Sequence, residues 1–286
     1  MMEALRDSRL KALLPRLCLA SCRQRETREI EWPAAINRAA WGMSPELVSI
    51  FETPEYAALS TAEQKRLSHL EIVNFFSLNI HGEKRLIAGV AERLYGTEDP
   101  AVTSYLLHFI EEEARHLSYF GGYCHRYAEI FPERVIRSSS AENDHPGSTF
   151  IFFARILIFE AVVDGYNRTM AGDERVEGLV REINHRHHVD ESRHLAFGRE
   201  LVADLAAEFV RGQPRREVER LRCGFERYLA SIWRDLANPT IYTRAGLNDP
   251  YGLHKAALGW LARRDAGVRD ELRPLTSQGF LLEKTP

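Results

Sequence analysis

The chain has 286 residues, 44% of them hydrophobic and 28% charged, the composition of a soluble globular protein. Its formal charge of −3 and pI near 6.4 leave no basic excess for nucleic acid or an anionic membrane surface. No stretch reaches the roughly 20 apolar residues of a membrane helix, and Pro15 and Arg16 break the N-terminal apolar run, so it does not read as a signal peptide.

Apolar residues recur at helical spacing, and almost no segment alternates in the two-residue rhythm of a strand. Residues 1–60 read as a lead-in of short helices and turns punctuated by Pro33, Gly42 and Pro54. A long helix is expected over 61–95, with Thr61 as N-cap and Gln64 three positions on, stopped by the Gly96 to Pro100 break. A second should run from 101 to about 128. The stretch 132–148 is rich in Ser, Asn, Asp, Pro and Gly, and is a connection too long for a tight helical hairpin. A third helix is expected over about 149–170, a short turn at 171–173, and a fourth over about 174–211. Two further helical stretches follow at 215–236 and 251–272, with a loop around Asn238 and Pro239. Two hairpins joined by one long crossover make an all-α, ferritin-like four-helix bundle with additional N- and C-terminal helices. The whole chain, 1–286, reads as a single domain, with the bundle at 61–211 and flanks at 1–60 and 212–286.

The second helix carries the inward stripe Val102, Leu106, Phe109, Glu113, His116, Phe120, Cys124. The fourth carries Val176, Val180, Ile183, His187, Glu191, His194, Gly198, Leu201, Leu205. Carboxylates and imidazoles thus stand where the repeat calls for core residues, and burying them unpaired costs several kcal/mol each. The shared pattern is Glu-x-x-His, as Glu113 with His116 and Glu191 with His194. Residues at i and i+3 share a helix face, so each pair can present an oxygen and a nitrogen to one ion.

Such carboxylate-bridged centres take one more Glu from each remaining helix. Facing residues of an antiparallel hairpin lie equally far from its turn. Glu83 and Glu113 have their midpoint at residue 98, in the first break, and Glu160 and Glu191 have theirs just after the second turn. Both pairs therefore sit at matching height, roughly 20 Å from the turns. Glu71 fails, because its midpoint with Glu113 falls inside a helix. Glu83 interrupts the stripe Phe76, Ile80, Ile87, Val90, and Glu160 the stripe Phe153, Ile156, Val163, Met170.

At 100° per residue His187 lies about 40° from Glu191 on the His194 side, and His188 about 60° off on the other. His187 is therefore the better third nitrogen ligand, and His185 and His188 read as surface or outer histidines. Asp164 and Asp190 either orient ligand imidazoles or serve exposed or capping roles. Phe75, Phe76 and the aromatics of 150–153 read as core in preference to a substrate cavity. The four cysteines form no zinc-type double pair and fit a reduced, cytoplasmic protein; Cys18 and Cys22 read as buried thiols without histidine partners.

The order Glu83, Glu113-x-x-His116, Glu160, then His187-x-x-x-Glu191-x-x-His194 resembles the p-aminobenzoate N-oxygenase type of non-haem di-iron oxygenases. The similarity covers about residues 60–205, and the histidine four before the last Glu is its most specific mark. Desaturases and ribonucleotide reductase subunits share the other six ligands. The stretch before Glu83 does not match the family's substrate contacts, so the substrate stays open.

The resemblance implies Glu83, Glu113, His116, Glu160, His187, Glu191 and His194 as ligands of two Fe ions, with Mn as the alternative. O₂ would be co-substrate and a redox protein or other external electron donor the reductant. The substrate would be a small-molecule amine of arylamine type, carried through hydroxylamine towards nitro in secondary metabolism. The flanks suit a pocket cover or a homodimer contact. The competing readings are a hydroxylase or desaturase on a carrier-bound or lipid substrate, and an iron-storage or structural bundle.

Overall fold

The computed structural model describes residues 9–24, 29–133 and 147–282; the connection expected at 132–148 lies, beyond its ends, outside the described residues. The four long helices fall where the apolar periodicity places them. They are α3 (Thr61–Tyr95), α4 (Pro100–Tyr127), α5 (Ser148–Gly172) and α6 (Gly178–Gly212), preceded by α1 (Arg9–Gln24) and the short α2 (Pro54–Ala57). After them come α7 (Arg215–Leu236), α8 (Pro239–Ala245), α9 (Pro250–Glu271) and α10 (Arg273–Thr276). No strand occurs among the described residues, apart from an isolated parallel bridge between Trp41 and Val176. No helix among them is long and apolar enough to cross a membrane.

Caps set the ends, and three of them differ from expectation. Ser60, not Thr61, opens α3: its hydroxyl accepts from Glu63 N, while the Glu63 carboxylate takes the Ser60 N–H at 2.9 Å. Ser60 and Glu63 carry the same spacing as Thr61 and Gln64, with the stronger charged partner. The helix expected from 174 begins at Gly178 instead. Trp41 N–H bonds to Arg175 O at 3.1 Å and Glu177 N–H to Trp41 O at 2.8 Å, so the lead-in claims the backbone that would have formed the first turn. The loop expected at Asn238 and Pro239 is the start of α8. Asn238 accepts from Thr240 N, Pro239 fills the first helical position where no N–H is needed, and Gly246 ends the helix at φ +75°.

Helices α3 and α4 form one hairpin and α5 and α6 the other, with α1 laid across α4 and α6 and α7 across α5 and α3. The two hairpins meet antiparallel along α3 and α5. Phe75 stacks on Tyr166 with centroids 5.4 Å apart, and one turn-pair further the Phe159 ring lies against Gly82. A Cβ at Gly82 would stand 2.7 Å from that ring, so the glycine is what lets α3 and α5 approach beside Glu83 and Glu160.

Candidate metal centre

The expected stripes of α4 and α6 are buried at every position. On α3 and α5 the phase slips by one residue above the acids: Leu86 and Leu157 are buried, while Ile87 and Ile156 are half-buried. Each of these helices packs against more than one neighbour, so its apolar face is wider than a single stripe.

Glu83, Glu113, Glu160 and Glu191 are 3% exposed or less, and His116, His187 and His194 no more than 1%. The structure brings all seven together. Donor atoms lie within 4.8 Å of one another in three overlapping groups: Glu83, His116 and His187; Glu113, His116 and Glu191; and Glu113, Glu160 and His194. Glu113 belongs to two of them, the position of a carboxylate able to bridge neighbouring ions.

Each imidazole turns one nitrogen inward and gives the other to a partner outside the cluster. His116 Nδ1 lies 3.0 Å from Glu113 Oε2, while its Nε2 lies 3.1 Å from Asp190 Oδ2. His194 Nδ1 lies 2.8 Å from Glu113 Oε1, and its Nε2 2.8 Å from Glu112 Oε2. His187 is reversed: Nε2 faces Glu191 Oε1 at 2.9 Å and Glu83 Oε1 at 3.7 Å, and Nδ1 meets the Asn167 amide at 2.6 Å. Arg193 holds Glu112 and Asp190 together on the outer side, and Arg115 reaches Asp190 at 3.3 Å. The walls are aromatic: Phe109 meets the His194 ring edge-on at 4.0 Å, and Phe120 the His187 ring at 4.9 Å.

Among the seven clustered residues, several atoms are left without hydrogen-bond partners. They include Glu113 Oε1, both oxygens of Glu160, Glu191 Oε2, His187 Nε2 and His194 Nδ1. Six such atoms converging on one buried point suit an ion or ligand held between them. Oxygen and imidazole donors at this density suit iron, manganese or zinc, so the residues fit a two-metal centre.

Burial opposes charge throughout. It raises Glu83, with the Glu113 charge adding to it, and raises Glu160, with the Glu191 charge adding. Burial also works against charge on Glu113 and Glu191, but the facing imidazoles outweigh it and hold both low, Glu191 at about 2. His116 is pushed up to about 9 and His194 well above its ordinary value, because the carboxylates outweigh desolvation. His187 goes down, through burial and the nearby His116 charge. Glu83, Glu160, His116 and His194 thus favour their protonated forms, and metal ions would compete with those protons.

Asp190 serves His116, whereas Asp164 bonds His188 at 2.6 Å, away from the inward-facing atoms. Glu71 lies apart, held by Ser49, whose hydroxyl also meets Tyr242 OH at 2.7 Å. Sequence reasoning missed Glu112 and Asn167. Their signal was the need of each ligand imidazole for a second partner, which spacing along one helix cannot supply. The cysteine reading needs correction: Cys22 is exposed and Cys18 half-buried, and Cys22 Sγ lies 3.7 Å from His108 Nε2. Helices α1 and α4 cross there, a contact that no local pattern announces. Phe75, Phe76, Phe150 and Phe153 are core, while half-buried Phe152 lines a cavity of about 420 Å³ bounded by α3, α5 and α7.

The family described as P-aminobenzoate N-oxygenase AurF matches residues 7–276. The chain belongs to this family. The AurF match spans all seven clustered residues and makes the chain an enzyme, a di-metal oxygenase. No curated protein matches it. Among solved structures, an R2-like ligand-binding oxidase variant with an aerobically reconstituted Mn/Fe cofactor aligns at 14% identity. That alignment covers 91% of this chain and 92% of that chain, with a TM-score of 0.43.

Proposed function

We propose that the chain oxidises the nitrogen of a small-molecule amine of arylamine type, using O₂ and electrons from an external donor. Two metal ions, iron in the first instance, would be held by Glu83, Glu113, His116, Glu160, His187, Glu191 and His194. In the first step an N–H becomes N–OH: one oxygen atom of O₂ enters the amine, the other leaves as water, and the donor supplies two electrons with two protons. The observation that carries this reading is His187, whose Nε2 joins the cluster beside Glu191 and Glu83 and adds a third imidazole to the carboxylate set.

Bound reduced metal would supply the site where O₂ accepts electrons. The protein's part is placement and exclusion. Asp190 and Glu112 hold the His116 and His194 rings with Nδ1 inward, Glu113 spans the two halves, and Phe109 and Phe120 keep water from the centre. The reading is tested by metal analysis and O₂ uptake together. Protein from iron-fed cells should carry two metals per chain, and arylamines should raise donor-dependent O₂ uptake. Glu113→Ala and Glu191→Ala should stay helical with less than one metal per chain. Full metal occupancy in those variants overturns the ligand set, and turnover of acyl-carrier substrates in place of arylamines overturns the N-oxygenase assignment.

A further inference from the structure

Asn167 stands on α5 two turns beyond Glu160 and is fully buried. Among the described residues its side chain has one hydrogen-bond partner, the His187 ring: Asn167 Nδ2 lies 2.6 Å from His187 Nδ1. In that orientation Asn167 Oδ1 goes unsatisfied, while His187 Nε2, 2.9 Å from Glu191 Oε1, makes no aligned hydrogen bond. An amide N–H donating to Nδ1 would fix the ring proton on Nε2, aimed at the Glu191 and Glu83 carboxylates, and the lone pair would face away from the cluster.

A carboxamide presents oxygen and nitrogen from nearly the same envelope, so a half-turn of the Asn167 side chain exchanges them. With Oδ1 against the ring, Nδ1–H donates to it and the amide oxygen gains its partner, while Nδ2 turns to the place Oδ1 held. The Nε2 lone pair then points at the position between Glu191 and Glu83. His116 and His194 solve the same problem with carboxylates, Asp190 and Glu112, behind the ring. His187 has a neutral amide instead, on the opposite ring nitrogen.

We propose that Asn167 is a positioning residue for the third imidazole, accepting the His187 Nδ1 proton through its side-chain oxygen and so fixing the tautomer whose Nε2 binds metal. This rests on His187 being a ligand. A neutral acceptor at this point orients the ring without adding negative charge. The centre already gathers four carboxyl groups within a dry core, and Asp190 and Glu112 add two carboxylates behind it.

The experiment uses the full chain labelled with ¹⁵N-histidine and loaded with Zn(II), a diamagnetic probe. The His187 resonances are identified by their loss in His187→Ala. The parent should show a proton on Nδ1 in slow exchange with water, and Nε2 shifted by zinc. In Asn167→Leu that proton should exchange quickly, and Zn(II) affinity, read by chelator competition, should fall about 10- to 100-fold. Asn167→Asp restores an oxygen acceptor and should recover the protected Nδ1 proton. A proton on Nε2 in the loaded parent overturns the proposal, and that measurement needs no variant to fold. Zinc on Nε2 with unchanged proton exchange and affinity in Asn167→Leu overturns the role of Asn167 alone. Zinc binding that leaves both His187 nitrogens unshifted overturns the ligand reading beneath it.

Discussion

Glu160 offers a test of whether the centre was built at the expense of stability. It is 3% exposed, and neither carboxyl oxygen has a hydrogen-bond partner. A buried polar atom left unpaired costs about 1–3 kcal/mol, so the two together cost the metal-free fold about 2–6 kcal/mol. Leucine fills most of the same volume without the polar atoms, and metal-free Glu160→Leu should be more stable than the parent. For a chain of this size that corresponds to a rise in Tm of roughly 3–10 °C. The gap should widen with pH. Burial, and then the Glu191 charge, raise Glu160 above its ordinary 4.5, so the native state keeps a proton that the unfolded chain releases. The parent therefore loses stability as pH rises above that value, and the variant lacks this loss. Calorimetry of chelator-treated protein between about pH 5 and 8 reads both effects. Metal should reverse the order, because at 1,000 times Kd each ion adds about 4 kcal/mol, about 8 kcal/mol for two, to a chain that binds both. A metal-free variant that melts at or below the parent would refute the reasoning, since Glu160 would then have a partner worth keeping.

Glu112→Ala removes the carboxylate behind His194 and should cost about 10- to 100-fold in metal affinity by chelator competition, with helicity unchanged; parent-like affinity would mean that His194 is oriented otherwise. Glu71 is raised to about 7 by burial, against the opposing Ser49 hydrogen bonds. Its contribution is therefore fully present below 4.5 and lost as pH rises through about 7, so the metal-loaded parent should lose about 3 kcal/mol more than Glu71→Gln across that window in urea unfolding. Equal pH slopes would place the buried proton elsewhere.

Much of this molecule is legible along the chain because its architecture is nearly one-dimensional. An antiparallel helical hairpin rises equally on both sides of its turn, so residues equidistant from the turn meet at one height. Glu83 with Glu113 and Glu160 with Glu191 follow from that arithmetic alone; the stripes of Glu113 and Glu191 are buried throughout, and those of Glu83 and Glu160 with a slip of one residue. Helix ends were less legible because two overlapping capping boxes, at Ser60 and at Thr61, compete for one helix start. The late start of α6 depends on Trp41, which lies more than a hundred residues away in the chain.

What the spacing could not carry is rotation. Two helices at matched height can still turn about their own axes, and which ring nitrogen faces inward depends on that turn. His116 and His194 present Nδ1, and His187 presents Nε2, although all three stand on inward stripes. The difference lies in what waits behind each ring. Glu112 lies beside Glu113 in a run of three acids and reads as solvated charge until α6 brings His194 and Arg193 against it. Asn167 reads as an ordinary interior amide until α6 brings His187 to it. The inward donors answer to periodicity within one helix; their supports answer to the crossing of two, and it is the supports that decide which lone pairs the centre offers to a metal.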